Sequence, residues 1–152
     1  MILLVHMLFG AAIGSAVANI PLAIILAFLG HYFLDLFPHV EYDIQIKNKK
    51  QWREKLISVF KIAADFFSGL LLIFLFSKNY STIYVCAFFA MLPDGFTVLN
   101  NHLSNKIFKN HNQFHTGLIH FLKNKKISNF WRILSQVMVV IVSIVILKIY
   151  SI

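Results

Sequence analysis

Long apolar stretches separated by shorter polar segments run along the whole chain. The apolar stretches lie at residues 2–18, 20–37, 56–76, 80–99 and 130–150. An α-helix crosses about 30 Å of bilayer hydrocarbon with roughly 20 residues, and each stretch reaches or approaches that length. The pattern predicts an all-α membrane protein, in which a single integral membrane domain over residues 1–152 forms a bundle of about five transmembrane helices.

Prolines mark several of the expected helix ends. The first two stretches meet at a tight "ANIP" turn, and proline is favoured in the first turn of a helix. Pro38 is expected to end the second helix, because the residue before a proline is disfavoured in the helical conformation. His39 then lies just past the helix end. In the fourth stretch, "MLPDGF" predicts a break at membrane depth, which is tolerated only where the backbone packs on protein or lines a wet cavity.

The loop before the last apolar stretch contains a further helical pattern. Its sequence is "NHNQFHTGLIHFLKNKK". A helix here would turn a set of apolar side chains toward the membrane surface, namely Phe114, Leu118, Ile119, Phe121 and Leu122. We therefore expect a short cytoplasmic interfacial helix beside the bundle.

Composition agrees with a membrane protein. Apolar residues make up 59% of the 152 residues and the mean hydropathy is +0.73, whereas soluble domains are roughly half apolar. The net charge of +8 is concentrated in two lysine-rich segments, 47–55 and 106–126. Such segments occur in nucleic-acid-binding proteins, but beside membrane spans they are typical of loops near anionic lipid. We expect membrane lipids as partners and no nucleic acid.

The lysine-rich segments also predict an orientation. With five crossings, both segments and the N-terminus share one side, and the opposite side carries only Lys78 and Lys148. Cytoplasmic loops carry an excess of lysine and arginine. The N-terminus is therefore expected in the cytoplasm and the C-terminus outside.

Acidic residues and histidines within the apolar stretches gather toward this predicted cytoplasmic side. They are His6, His31, Asp35, Asp65 and Asp94. Ionisable residues inside a bilayer are costly, and they mark functional sites by default. A bound cation would offset the charge of the carboxylates.

His31 and Asp35 are the strongest ligand candidates. They are four residues apart, so they share a helix face and can hold one ion together. Imidazole combined with carboxylate suits zinc, manganese or iron, whereas carboxylates alone suit magnesium. Whether His39, or His111, His115 or His120 from the loop, reaches the same ion depends on the loop conformation.

Structural interpretations of the same residues stay open. His31 can donate to a backbone carbonyl or to Asp35 as part of a neutral polar pair. Asp65 has Lys61 one turn earlier and can pair with it. His6 can be a core histidine whose ring is hydrogen-bonded, and His39 can lie at the level of the lipid headgroups. Asp94 can be a turn residue that ends the helix.

A family resemblance adds to this pattern. "GHYFLDLFPH", followed by an intramembrane aspartate, a "PD" turn and a late histidine cluster, resembles the small bacterial membrane-bound metal-dependent hydrolases of the YdjM-like type. The H-x-x-x-D element is also similar to one in zinc-dependent phospholipases C and related nucleases, where helices hold a cluster of zinc ions. Two departures are visible: "HNQFHTG" replaces the H-R-G-x-T-H-type element of the membrane family, and a second helical H-x-x-x-E is absent from the sequence.

The resemblance implies metal ligation by His31 and Asp35, with Asp65, Asp94 and His115 as further ligands. His6 is an additional ligand candidate because of its position near the start of the first stretch. Among these residues, Asp94 is expected to be a ligand or general base, and His115 a ligand or acid.

Together these observations predict an enzyme of the bacterial inner membrane. We expect a divalent metal, zinc or manganese, and hydrolysis of a phosphoester in a lipid or lipid-linked substrate, so that an anionic, phosphate-bearing molecule is the partner. The sequence contains no G-x-S-x-G, H-E-x-x-H or P-loop element that would support other chemistries. The alternative is a non-catalytic membrane protein whose His/Asp cluster binds a metal or forms a structural polar core.

Overall fold

The computed structural model describes residues 2–40, 52–100, 103, 105–119 and 127–150. Regular structure in these ranges is entirely helical, which confirms the all-α prediction. The elements are α1 (Leu3–Ala16), α2 (Ile20–Asp35), α3 (Trp52–Phe76), α4 (Ser81–Asn100), α5 (Lys106–Phe114), a single π-helical turn (His115–Ile119) and α6 (Asn129–Ile149).

Three of these helices are long and apolar enough to cross a membrane. They correspond to Leu56–Phe76 within α3, to α4 and to α6, whereas α1 and α2 are apolar but shorter. Large apolar side chains such as Leu29, Phe74 and Ile141 point outward and are exposed on the surface of the bundle. Water-soluble proteins rarely expose contiguous apolar surface of this extent. The structure is consistent with a membrane protein, and the count of five crossings stays a prediction.

Helix α1 occupies the centre of the bundle. It packs against α2, α3, α4 and α6, and its residues Met7, Leu8 and Ala11 form a buried core with Ile73 of α3 and Ile83 of α4. A helix that has neighbours on every side must be apolar all round. This explains why the first apolar stretch shows no polar face.

Two glycines allow α1 to approach α4 closely. A Cβ atom on Gly10 would lie 2.6 Å from both the Ala90 Cβ and the Cys86 carbonyl oxygen, and one on Gly14 would lie 2.9 Å from the Cys86 Cβ. Small residues four apart are the usual means by which membrane helices come into backbone contact. The α1–α4 contact therefore depends on the absence of side chains at these positions.

On three helices, a row of small residues spaced four apart ends in polar residues of the candidate site. The three rows are His6–Gly10–Gly14 on α1, Ala23–Ala27–His31–Asp35 on α2, and Cys86–Ala90–Asp94 on α4. Ala23 and Ala27 pack on Cys86 and Ala90, so the rows of α2 and α4 face each other. Because residues four apart share a helix face, close packing of the small residues brings the polar ends of the rows together.

The predicted break in the fourth stretch is wrong. Helix α4 continues through Pro93 and Asp94 to Asn100, so Asp94 is not a turn residue. Pro93 removes the N–H group that would bond the Phe89 carbonyl, but the helix continues past it. In the same region the His31 imidazole bonds the Ala90 carbonyl, and the Thr97 hydroxyl donates to the Pro93 carbonyl.

A short helix is present in the loop, but it begins at Lys106 and ends at Phe114 before the π-helical turn. Phe114 is exposed, as a membrane-facing residue should be. Phe121 and Leu122 lie outside the described residues. The interfacial position of α5 stays a prediction.

Candidate metal centre

His31 and Asp35 lie fully buried at the end of α2. His31 Nε2 is 3.1 Å from Asp35 Oδ2, and His31 Nδ1 is 2.8 Å from the Ala90 carbonyl oxygen. Because a carbonyl only accepts, Nδ1 carries a proton, so in the neutral imidazole Nε2 presents a lone pair to Asp35. A histidine whose second nitrogen is held in this way is the usual form of a metal ligand.

His115 reaches the same point from the π-helical turn. Its Nε2 lies 3.1 Å from Asp35 Oδ2 and 3.1 Å from His31 Nε2. Its Nδ1 lies 3.3 Å from Thr97 Oγ1, whose own proton goes to the Pro93 carbonyl, so Nδ1 is the donor here as well. Single π-helical turns frequently occur at functional sites. This one directs His115 inward while Phe114 and Thr116 on either side are exposed.

Asp94 completes a group of four ligand atoms. Its Oδ1 is 3.6 Å from His31 Nε2, and its side chain is 33% exposed, unlike the buried His31. One atom from each of His31, Asp35, Asp94 and His115 lies within 4.8 Å of all the others. Asp94 is therefore the member of the group that faces outward.

The chemistry of the group fits a cation. The two Nε2 atoms and Asp35 Oδ2 all present lone pairs, and each is 3.1 Å from the other two. Zinc–nitrogen bonds of about 2.0–2.1 Å place tetrahedral neighbours roughly 3.3 Å apart. Lone pairs that face one another at this spacing repel unless a proton or a cation lies between them, and the arrangement of the four residues is one that could hold a metal ion.

His6 contacts the other oxygen of Asp35. Its Nε2 lies 3.3 Å from Asp35 Oδ1 without the geometry of a hydrogen bond, and its ring stacks on His31 with the centroids 4.0 Å apart. The side chain is completely buried, and within the described part of the chain neither ring nitrogen has a hydrogen-bond partner. Buried polar groups are nearly always hydrogen-bonded, so His6 is not an ordinary core histidine.

His39 lies just past the end of α2, as expected from Pro38, and turns back toward the centre. Its Nε2 is 3.6 Å from Asp35 Oδ1, and its Nδ1 bonds the Phe37 carbonyl at 2.7 Å. Helix α6 holds this segment, because the Ser135 hydroxyl donates to the Pro38 carbonyl and the Arg132 guanidinium donates to the His39 carbonyl. The structure thus brings His39 to Asp35, which the sequence left open.

Asp65 is not part of this group. Its Oδ2 accepts the backbone N–H of Leu4 at 2.9 Å, while Gln136 Oε1 accepts that of Ile2 at 3.3 Å. Ile2 is the N-cap of α1 and has no side-chain cap of its own. Asp65 and Gln136, from α3 and α6, therefore satisfy two of the free N–H groups at the start of α1, and the carboxylate also complements the helix dipole.

Substitution of Asp65 distinguishes the capping of α1 from the predicted role as a metal ligand. We expect Asp65→Ala to destabilise the protein by about 1–3 kcal/mol, because the Leu4 N–H loses its partner, and to leave the metal content unchanged. Asp65→Asn keeps an acceptor and should cost less. Unfolding in detergent and metal analysis of both variants provide the measurement. Loss of metal in Asp65→Asn would instead support the predicted ligand role.

His111 lies in the layer outside the ligands. Its ring stacks on His115 with the centroids 5.5 Å apart, and its Nε2 is 2.9 Å from the Tyr32 hydroxyl. Burial, together with the neighbouring His115, holds the pKa of His111 below its ordinary value. His111 is thus a neighbour of His115 and not a member of the ligand group, while His120 lies outside the described residues.

Thr97 is a supporting residue that sequence reasoning missed. Thr97→Val removes the acceptor of His115 Nδ1, so we expect roughly 10–100-fold weaker binding of a divalent metal, the usual effect of losing an outer partner. Thr97→Ser keeps the hydroxyl and is the matched control. Metal titration of the stripped protein measures both. Equal affinities in the two variants would rule out this role for Thr97.

No protein-family model, curated protein or solved structure matches this chain. The structure brings together four of the six ligand candidates from the sequence, namely His31, Asp35, Asp94 and His115. His6 joins them through the second oxygen of Asp35. Thr97 lacked any distinguishing sequence feature, although it lies one turn after Pro93.

Proposed function

We propose that the protein is a membrane-embedded metal-dependent hydrolase that acts on a phosphoester in a lipid or lipid-linked substrate. The observation that carries this proposal is the convergence of two imidazole nitrogens and a carboxylate oxygen at mutual distances of 3.1 Å. Beside them stands Asp94, a second carboxylate that is partly exposed. Zinc is the expected ion and manganese the alternative, because both accept mixed imidazole and carboxylate ligands.

Different side chains would have different roles in such a reaction. A bound divalent ion supplies positive charge to a phosphoryl oxygen and lowers the pKa of water. His31, His115 and Asp35 hold that ion. Asp94 lies where solvent can reach it and suits a general base that takes the proton of the attacking water. The Nδ1 of His115 is bonded to Thr97 and its Nε2 lies among the other ligand atoms, so a ligand role suits it better than an acid role.

An apolar cavity beside the centre supports a lipid substrate. The cavity has a volume of about 380 Å³ and lies between α1 and α6, where it is lined by Ile2, Val5, Val40, Ile133, Gln136, Val137, Val140 and Ile141. Val5 precedes His6 and Val40 follows His39 in the sequence, so two of the segments that line the cavity also carry histidines of the cluster. Its size lies within the usual range of about 300–1,000 Å³ for ligand pockets, and its lining suits an acyl chain.

The proposal includes a location and an orientation. In it, α1 and α2 join α3, α4 and α6 as five crossings of the bacterial inner membrane, and the metal centre lies at the cytoplasmic end beside the lysine-rich segments. Positive charge at that rim would attract phosphate-bearing molecules, and Arg132 lies at the same edge through its bond to His39. A relationship to the YdjM-like hydrolases would agree with this arrangement.

The test is hydrolysis by the purified, detergent-solubilised and zinc-loaded protein. Substrates are phospholipids with a labelled head group and, for comparison, p-nitrophenyl phosphate. We expect head-group release from the lipids, a rate roughly 10²–10⁴-fold lower in Asp94→Asn, the usual contribution of a general base, and little change in Asp65→Asn. Full zinc occupancy without hydrolysis of any phosphoester would exclude the proposal.

A non-catalytic metal site is the second candidate. Three of the four grouped residues, His31, Asp35 and His115, are almost completely buried, and structural metal sites are closed to solvent. This candidate predicts bound zinc that raises the melting temperature but no turnover. The same two measurements, occupancy and hydrolysis, distinguish it from the enzyme.

A further inference from the structure

The cavity between α1 and α6 is built almost entirely from β-branched side chains. Seven of the eight described lining residues are isoleucine or valine, and β-branched side chains are stiff at χ1, so they cannot easily turn inward to close it. One wall consists of Ile133, Val137 and Ile141, which share a face of α6 and are exposed on the surface of the bundle. The cavity therefore opens sideways, toward the surrounding membrane.

Gln136 is the polar residue among those that line the cavity, and the protein itself engages its amide group. Its Oε1 accepts the Ile2 N–H at 3.3 Å, and its Nε2 donates to the Arg132 carbonyl at 2.9 Å. A polar molecule in the cavity would lose its hydrogen bonds to water without replacement, which is costly. The lining therefore suits an apolar chain.

The direction of the cavity matches that of a lipid in the cytoplasmic leaflet. In the proposed orientation α6 begins on the cytoplasmic side, and the cavity follows it inward from Ile133 to Ile141, a distance of about 12 Å at 1.5 Å per residue. At its cytoplasmic end the Arg132 guanidinium donates to the His39 carbonyl, which belongs to the peptide unit before Val40 of the lining. Guanidinium groups match the oxygens of phosphate. Positive charge thus lies where the head group of such a lipid is found.

We propose that the cavity binds one acyl chain of a phosphate-bearing lipid from the cytoplasmic leaflet, with the head-group phosphate at Arg132. The chain exchanges one apolar environment for another and gains little hydrophobic free energy, so the fit of the chain and the charge of Arg132 select the lipid. The phosphate then lies at the edge where His39 approaches Asp35, and the lipid reaches this edge without leaving the membrane.

This inference rests on the proposed function, because it states where the lipid substrate lies, but binding is measured without turnover. The whole chain, stripped of metal, is reconstituted into phosphatidylcholine vesicles that contain phosphatidic acid with a photoreactive group on one acyl chain. After illumination, the labelled positions are mapped by mass spectrometry. We expect label on residues 2–5 and 133–141 above the level on the exposed faces of α2 and α3.

Two tryptophan variants of α6 test the cavity itself. Val137→Trp places a large ring in the wall of the cavity and should abolish the excess label on both segments. Val142→Trp is the matched control, because Val142 is similarly exposed on α6 but does not line the cavity, and its labelling should equal that of the wild type. Both positions are at the surface of the bundle, so neither substitution disturbs the core.

Two substitutions of Arg132 test the position of the head group. Arg132→Gln keeps an N–H donor for the His39 carbonyl but removes the charge, and Arg132→Lys keeps the charge. We expect Arg132→Gln to lose the preference for phosphatidic acid over a photoreactive diacylglycerol with the same chains, and Arg132→Lys to retain it. An unchanged preference in Arg132→Gln would overturn the assignment of the phosphate to Arg132.

The outcomes separate the acyl-chain site from the proposed function. Equal labelling of the cavity and of the exposed faces of α2 and α3 overturns the site, as does undiminished cavity labelling in Val137→Trp. Cavity labelling in a zinc-loaded protein that hydrolyses no phosphoester leaves the acyl-chain site standing and excludes the hydrolase. Hydrolysis of phospholipids without labelling of the cavity has the opposite meaning.

Discussion

Asparagine in place of Asp35 should abolish metal binding. The two oxygens of Asp35 lie within 3.6 Å of four histidine Nε2 atoms, so one carboxylate carries the negative charge at the middle of the cluster. Asparagine keeps the shape but removes that charge, and its NH₂ group would donate into the lone pairs that hold the ion. We expect zinc affinity to fall more than about 100-fold, beyond the roughly 10–100-fold cost of losing an outer partner.

Thermal unfolding provides a second measure of the same substitution. Zinc at 100 times its dissociation constant should stabilise the wild type by about 2.7 kcal/mol, because it binds only the folded state. Asp35→Asn should show no rise in melting temperature with zinc. Its metal-free form should be at least as stable as the metal-free wild type, because a buried carboxylate no longer needs compensation. A zinc-dependent rise equal to that of the wild type would contradict the central role of Asp35.

Gly10→Ala is expected to have the second-largest effect. The new Cβ would lie 2.6 Å from the Cys86 carbonyl oxygen and from the Ala90 Cβ, so α1 and α4 must separate. Overpacking of this kind typically costs about 1–3 kcal/mol. The separation should also weaken metal binding, since His6 lies one turn from Gly10 and the Ala90 carbonyl fixes His31.

Gly95→Ala is the matched control for Gly10→Ala. Gly95 is also helical, but a Cβ there would meet nothing within 4 Å. Alanine in an exposed helix is favoured over glycine by about 1 kcal/mol, so this variant should be as stable as the wild type or more so. Unfolding and zinc titration of the two variants side by side provide the measurement. Equal behaviour would show that the α1–α4 contact is looser than the structure indicates.

The local part of the site was predictable because helix periodicity alone determines it. His31 and Asp35 share a face whenever residues 20–35 are helical, and apolar length made the helix a firm expectation. Asp94 and His115 were also named as ligands, because the family resemblance implied them. Their contact with α2 depends on the packing of small residues such as Ala27 and Ala90, which the sequence interpretation did not consider.

The failures have specific physical causes. The break at Pro93 was predicted from the Pro-Asp-Gly sequence, whereas α4 remains helical through these three residues and side chains of His31 and Thr97 bond the nearby carbonyls of Ala90 and Pro93. The ligand role of Asp65 was implied by the family resemblance, whereas its carboxylate accepts the Leu4 N–H at the N-terminus of α1. Depth along a helix does not specify which neighbour a side chain faces.

The capping of α1 has a consequence for the order of assembly. Its first N–H groups are satisfied by Asp65 and Gln136, which are synthesised after α1, and Gln136 belongs to the last helix described. Until α6 has been made, the first turn of the central helix lacks one of its acceptors. We therefore expect α1, and with it His6, to reach its final position late, after α6 has joined the bundle.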